Sequence, residues 1–564
     1  MVERQLPKLH TWVRFPSPAP SEGPVRGLWF AAHVPAAAQI RRTACSLGLA
    51  ALCLLAGGCA VLPPPTPKPP SHAIVDVGTT MLAKVSAAAR ERASAPPDHS
   101  GFRPLPEGEF AFDARIALAR HAERSLDVQY YLIQNDPIGR RLLRALRDAA
   151  QRGVRVRLLI DDLYAAGEDE LLAGLAAQPN AEVRVFNPLP VRSGSFLSRL
   201  AFSLHEFERI NRRMHNKLFI ADNSFAVSGG RNIAAEYFMR SEQANFIDLD
   251  VLSAGPVVRD FSNAFDRYWN SEQAWPIERV TYVRERDALA RRQRLDELLA
   301  DEGPPIELRE RDVLRRTPLS SQLERGEVEG LMFASARVVV DDPGKIAREP
   351  RSAGPDTVLE SVVQMFGSAR REVLIVSPYF IPDDRGVAMM QRAGLNKNRV
   401  ILMTNSLGAT DEPLVYWRYA RKREAMLKAG VTIYELSPSL VRKTQEFGVF
   451  GQSMGRLHAK LATIDRRWLY IGSMNLDGRS ALYNTEIGLI IDSEEIVTDV
   501  RRLRVHDDIR SAYRVRLRAD GQGVEWVETD AQGRETVHLD EPDDTWGLRL
   551  KNWFLAPFVM EELL

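Results

Sequence analysis

Two histidine and lysine pairs are the residues of this sequence best placed to do chemistry. In the first, four residues separate His215-Asn-Lys217 from Asp222, and six more separate Asp222 from Gly229-Gly230-Arg231-Asn232. In the second, His458-Ala-Lys460, Asp465 and Gly472-Ser473-Met474-Asn475 repeat the pattern with identical spacing. A His and a Lys two positions apart on a strand project to the same face, because side chains alternate with period two. The Gly-Gly or Gly-Ser turn lets backbone approach a ligand closely, and the following Asn can donate amide hydrogens to an oxyanion. A lone His-x-Lys is commonly a surface accident, but two copies in register are not. Two histidines suffice for displacement at phosphorus. One attacks to form a phosphohistidine, while the other protonates the leaving alcohol and then deprotonates the incoming hydroxyl. Lys217, Lys460, Asn232 and Asn475 would hold the non-bridging oxygens, so this chemistry calls for no metal and no other cofactor.

Other residues fall into supporting places. Asp222 and Asp465 lie five positions beyond their lysines, an odd offset that turns them to the opposite face of a regular strand. Glu486 and, at the aligned place in the first copy, Asp248 are expected to orient a site histidine and fix its tautomer, although Asp248 differs in type and spacing. Gly230 and Ser473 belong to the turns that bring backbone to the site. Tyr131 and Tyr379 stand at equivalent strand ends, where a ligand contact at a cleft mouth and a core position are equally compatible with the sequence.

The elements that must position these groups recur as well. Ser125 to Ile133 reads as a strand and aligns with Glu372 to Ile381, each followed by an acidic turn and a helical stretch. Val154 to Ile160 then matches Val400 to Met403, and Val183-Arg-Val-Phe-Asn-Pro188 matches Ile433-Tyr-Glu-Leu-Ser-Pro438. Strands alternating with helices predict an α/β fold with a mainly parallel or mixed sheet flanked by helices, in two homologous halves over 100–300 (motif 209–236) and 331–525 (motif 452–479). The charged stretch Arg284 to Arg316, broken at Pro304-Pro305, predicts a solvated connector, centred on 301–330.

With these motifs the sequence resembles the phospholipase D superfamily, whose signature is two such His-x-Lys-x4-Asp motifs. Within it, His215 to Phe238, Phe246 to Asp250, Thr404 to Glu412, Gly472 to Ser480 and Asn484-Thr-Glu486 are similar to bacterial cardiolipin synthases of the C type. The resemblance covers most of 100–564. It implies one shared active site on a pseudo-two-fold axis between the halves, with His215 as nucleophile and His458 as acid/base, although the near symmetry of the motifs leaves the reverse order open. It further implies phospholipid substrates at a membrane surface and cardiolipin synthesis from phosphatidylglycerol, with phosphatidylethanolamine a second candidate substrate. A hydrolytic phospholipase D releasing phosphatidic acid is the alternative, and a nuclease the third.

Composition bounds these readings. Seventy-five Lys and Arg face 74 Asp and Glu, and the net charge of +1 gives no global reason to bind nucleic acid. The three cysteines are Cys45, Cys53 and Cys59, so no thiol remains for the two halves. Arg41-Arg42 and the apolar run from Thr43 to Leu55 fit an export signal, too short for the roughly 20 apolar residues of a comfortable span. The run ends Leu55-Ala-Gly-Gly-Cys59, which resembles a bacterial lipoprotein signal with Cys59 as the lipidated residue. The leader 1–58 is long, and its start at Met1 is expected to be misassigned. Over 59–99 a Pro-rich tether and a helical lead-in near Met81 to Ala95 follow. The apolar C-terminal tail, 526–564, with Trp546, Trp553 and Phe554, could contact membrane or dock on the core. The location expected from the signal is a membrane-associated, periplasm-facing lipoprotein, with cytoplasmic-side attachment as the alternative.

Overall fold

The computed structural model describes residues 62–63, 68–281, 283, 287–348, 357–445, 450, 452–503 and 509–543. All belong to one compact unit, Ala60–Leu564. The leader, Cys59 and the apolar tail from Trp546 lie outside the described residues.

Among the described residues nine strands form before residue 300: β1 Ser100–Leu105, β2 Ser125–Tyr130, β3 Arg155–Asp161, β4 Ala181–Phe186, β5 Leu218–Ala221, β6 Phe225–Gly229, β7 Ala244–Ile247, β8 Asp250–Ala254 and β9 Ala274–Pro276. Eleven follow: β10 Met332–Val340, β11 Glu372–Val376, β12 Arg399–Asn405, β13 Val431–Leu436, β14 Met454–Leu457, β15 Leu461–Ile464, β16 Trp468–Gly472, β17 Ile487–Asp492, β18 Ala512–Leu517, β19 Val524–Thr529 and β20 Glu535–His538. Hydrogen bonding orders all but β7 and β14 into one sheet, β9-β4-β3-β2-β5-β6-β8-β1-β10-β17-β16-β15-β11-β12-β13-β18-β19-β20. The order reads the same outward from the β1–β10 seam as far as β4 and β13, in keeping with the pseudo-two-fold that the resemblance implies. The collinear segments are β2, β3, β4 and β11, β12, β13, and these are the parallel strands of the large sheet. Its remaining pairings are antiparallel, so the sheet is mixed rather than mainly parallel.

The acidic turns start the helices after β2 and β11. Asp136 accepts the Gly139 N–H at the head of Pro137–Gln151, and Asp383 accepts the Gly386 N–H at the head of Asp384–Leu395. Each side-chain oxygen satisfies a donor that the first helical turn would leave orphaned. The outer face of each half has its own apolar cluster, and a third is shared between them. The shared cluster joins Phe261 and Trp269 of the helix Val257–Asn270 to Ile496 and Val500 of the helix Glu494–Arg502, with strand residues of both halves.

Two boundaries differ from the sequence expectation. The stretch read as a solvated connector buries Leu295, Leu299, Leu319 and Leu323 in the first half's core. Its charged surface conceals a sparse apolar stripe, and Gly174 leaves room for Leu295, where a Cβ would approach to 2.7 Å. The sheet also continues past 525, because β19 and β20 form a hairpin extension on β18. Among the described residues no helix is long and apolar enough to cross a membrane.

Candidate active site

Each histidine follows a parallel contact between the halves. Strands β7 and β14 pair Ile247 with Leu457, and the next residues are Asp248 and His458. Met214 bridges Thr485 in parallel, and the next residues are His215 and Glu486. The result is an exchange: Nδ1 of His215 donates to Oε2 of Glu486 at 3.0 Å, and Nδ1 of His458 donates to Oδ2 of Asp248 at 2.6 Å. Both carboxylates were expected to orient a histidine, and each orients the histidine of the opposite half.

The motif geometry departs from the sequence reading in one respect. His215 to Lys217 and His458 to Lys460 belong to no strand and precede β5 and β15, whose four residues begin after the lysine. The His215 and His458 N–H groups donate across the halves, to Thr485 O and Ile247 O, closing the Met214–Thr485 bridge and the end of the β7–β14 ladder. Lys217 Nζ donates to His215 O at 2.7 Å and Lys460 Nζ to His458 O at 2.5 Å, so each lysine is folded onto its own motif. Residues at the ends of equivalent strands fix the chain just ahead of each histidine. Asp161 of β3 accepts the Met214 N–H and pairs with buried Arg213, while Asn405 of β12 bonds both backbone groups of Leu457. The polar residues closing these two apolar strands were the signal available in the sequence for them.

The turns differ between halves in a complementary way. Ser473 Oγ donates to Glu486 Oε2 at 2.5 Å. At the equivalent place Gly230 has no side chain, and a Cβ there would meet Asp248 Oδ1 at 2.2 Å. A glycine is therefore required beside the shorter carboxylate, whereas the longer one has a serine to hold it. Asn232 and Asn475 are buried beside these turns, and Asn232 Nδ2 donates to Tyr237 OH at 3.0 Å. Tyr237, which the sequence reading missed, packs edge-on to His458 at 5.0 Å between centroids, and Phe246 lies at 4.8 Å. Tyr131 packs edge-on to His215 at 5.1 Å, with Lys217 Nζ 5.3 Å from its ring centre. Tyr379 donates to Asp411 at 2.6 Å.

Asp222 and Asp465 stand apart from this group. They lie in the turns after β5 and β15, with φ of 47° and 51°, not on the strands as the offset argument supposed. Asp222 accepts the backbone N–H groups of Glu123, Arg124 and Ser125, and Asp465 those of Arg370, Arg371 and Glu372. Each thus clamps the start of the neighbouring strand, β2 or β11.

Burial sets the electrostatics. It pushes His215 down to about 4, against the raising influence of Glu486, and His458 down to about 4, helped by Lys460 and opposed by Asp248. Burial also lowers Lys460 to about 8 and Lys217 well below its usual range. The carboxylates are lowered too, but toward their charged form. Burial would raise Glu486 and Asp248, but the facing histidine and lysine of each site outweigh it and hold both at about 2. An ionised carboxylate on Nδ1 keeps the imidazole proton there and presents the Nε2 lone pair to the cleft. Among the described residues no cluster of three or more His, Cys, Asp and Glu could hold a metal ion.

Comparison with known proteins agrees with this architecture. The family model described as cardiolipin synthase, PLD-like domain matches twice, over residues 116–269 and 362–504. The chain is 37% identical to cardiolipin synthase C of Escherichia coli over 456 residues, covering 80% of this chain and 94% of that one. It is 25% identical to cardiolipin synthase 2 of Staphylococcus epidermidis over 406 residues, covering 71% and 66%. The crystal structure of phosphatidylserine synthase from Haemophilus influenzae shares the fold with a TM-score of 0.51 at 12% identity, covering 84% of this chain and 97% of that one.

Proposed function

The chain belongs to the cardiolipin synthase family of phospholipase D-like proteins, and from that premise we propose that it is a phosphatidyltransferase that makes cardiolipin from phosphatidylglycerol through a phosphohistidine. The observation that carries this reading is the pair of buried histidines, each locked by a carboxylate from the other half and each flanked by a buried lysine. Two lysines and two ionised carboxylates balance one another, so a bound phosphodiester leaves the site one charge negative and draws a proton onto one imidazole.

That proton settles on His458. Its carboxylate is closer, at 2.6 Å against 3.0 Å, and Ser473 shares Oε2 of Glu486 with His215, whereas the second donor on Asp248, the Leu249 N–H, takes Oδ1 and leaves Oδ2 to His458. His215 stays neutral, and its Nε2 attacks phosphorus. The P–O bond to the leaving glycerol breaks, and the alkoxide takes the proton from His458 Nε2. His458, now neutral, removes the proton from the hydroxyl of a second phosphatidylglycerol, whose oxygen attacks the phosphohistidine and frees His215. Lys217, Lys460, Asn232 and Asn475 spread the equatorial charge in both steps. The attachment read at Cys59 supports a body held at the periplasmic face of a membrane, beside its substrate.

Separating the products formed from labelled phosphatidylglycerol, with and without phosphatidylethanolamine, tests the reading. Labelled cardiolipin is expected. Phosphatidic acid alone would make water the acceptor, and label trapped on a His215→Ala protein would reverse the histidine roles.

A further inference from the structure

Between β4 and the His215 motif the chain makes an excursion whose amphipathic order is inverted. In the helix Phe196–Phe202 the one fully buried residue is Arg199, whose guanidinium bonds Ala166 O; Leu200 is half-buried against Ala166, Leu189 and Ile210, while Phe196, Leu197 and Phe202 face out. Phe196 is 40% exposed, Leu197 75%, Phe202 59% and Leu204, just beyond, 56%. The same chain supplies an internal control. The short helix after the equivalent strand β13, Pro438–Thr444, buries Leu440 and Val441 and sends Lys443 outward to Glu528. A water-facing helix is expected to resemble the second, so the first is shaped for a different medium.

This face is continuous with the reaction centre. Phe196 stacks on Tyr164 at 5.9 Å between centroids, Tyr164 meets Tyr131 edge-on at 5.4 Å, and Tyr131 meets His215 at 5.1 Å. Tyr164 is itself 44% exposed. The rings form a ladder from the outward apolar face to the imidazole, whereas Tyr237 and Phe246 beside His458 pack on each other and on the imidazole, and neither is among the exposed large apolar residues. Large apolar residues beside tyrosine rings match the boundary between acyl chains and headgroups, where an aromatic ring can be apolar at one end and wet at the other.

We propose that residues 196–204 insert into the acyl boundary of a phospholipid bilayer, and that the Phe196–Tyr164–Tyr131 ladder is the path by which a lipid's glycerol end and first acyl carbons reach His215. Its second clause rests on the phosphatidyltransferase reading; insertion does not. The face seats the entering donor lipid on the His215 side.

Hydrogen–deuterium exchange of the full chain, with and without vesicles of phosphatidylglycerol and phosphatidylethanolamine, tests insertion without turnover. Peptides over 195–206 are expected to exchange severalfold more slowly with vesicles, while those over 438–444 are unchanged. Unchanged exchange over 195–206 would overturn the proposal. A Leu197→Ser/Phe202→Ser protein, checked for an unaltered unfolding midpoint, is expected to show an apparent KM for vesicle-borne phosphatidylglycerol raised about tenfold, with kcat preserved. An unchanged KM would overturn the path to His215. Protection over 195–206 in a protein that forms neither cardiolipin nor phosphatidic acid would instead refute the phosphatidyltransferase reading and leave the membrane face standing.

Discussion

Gly230 and Ser473 occupy one place in the repeat and solve one problem in two ways. Gly230→Ser would drive its new atoms into Asp248, pushing the carboxylate off His458 Nδ1. Since a displacement of about 1 Å can cost roughly a hundredfold in rate, kcat is expected to fall by about that factor. Adding Asp248→Glu recreates the Ser473–Glu486 pairing, and steady-state kinetics of the double variant should recover part of the loss. The histidines make a second prediction at this scale. Both are neutral in the free protein above about 4, yet binding an anion draws one proton onto the pair. Binding that takes up a proton weakens as pH rises, so sulfate affinity is expected to fall about tenfold per pH unit between roughly pH 5 and 7. Above about 8 it falls more steeply as Lys460 discharges. Calorimetric titration with sulfate measures this, and a flat profile would contradict neutral histidines.

Among the elements, the strand starts depend on the two aspartates that complete the motif. Asp222→Ala leaves three backbone N–H groups at the head of β2 without their acceptor, which is expected to cost about 2 to 4 kcal/mol in urea unfolding. Asp465→Ala costs less, because its site is more exposed and water can replace the carboxylate. In both variants the surviving folded fraction should keep its kcat, since neither carboxylate reaches the histidines. Sequence reading went furthest for such elements when they are local and repeated. β2, β3 and β4 with their partners β11, β12 and β13 were legible from apolar runs that match in order, and the acidic turns were legible because a cap is a one-turn device. The extension β18 to β20 was not, because alternation in Tyr513-Arg-Val-Arg-Leu517 is partly masked by arginines. The supposed connector was misread because Leu295, Leu299, Leu319 and Leu323 are scattered among charges and declare themselves only against the helices that cover them. The histidines, lysines and asparagines were legible by identical spacing. Their exchange of carboxylates was not, since Asp248 to His458 and His215 to Glu486 are contacts between residues more than 200 positions apart.

For the whole molecule, the seam matters most. β1 and β10 pair antiparallel from Ser100 and Ala334 to Phe102 and Met332, β7 pairs β14, and the shared apolar cluster fills the space between the halves. Severing the chain between Gly330 and Leu331 is expected to give two pieces with no phosphatidyl transfer when made separately, because each lacks a carboxylate for its histidine. Made together they are expected to reassemble and regain it. Activity in either piece alone would show that the exchange is dispensable.

The unlike carboxylates also bear on how such a molecule can change over generations. In a symmetric pair of identical chains, every substitution strikes both sides of the site at once, so a glycine that suits an aspartate on one side cannot coexist with a serine that suits a glutamate on the other. One continuous chain releases that constraint. Each copy of the repeat becomes answerable for a single side, and inheritance can tune a nucleophile and a proton carrier independently while the two-fold scaffold around them is kept.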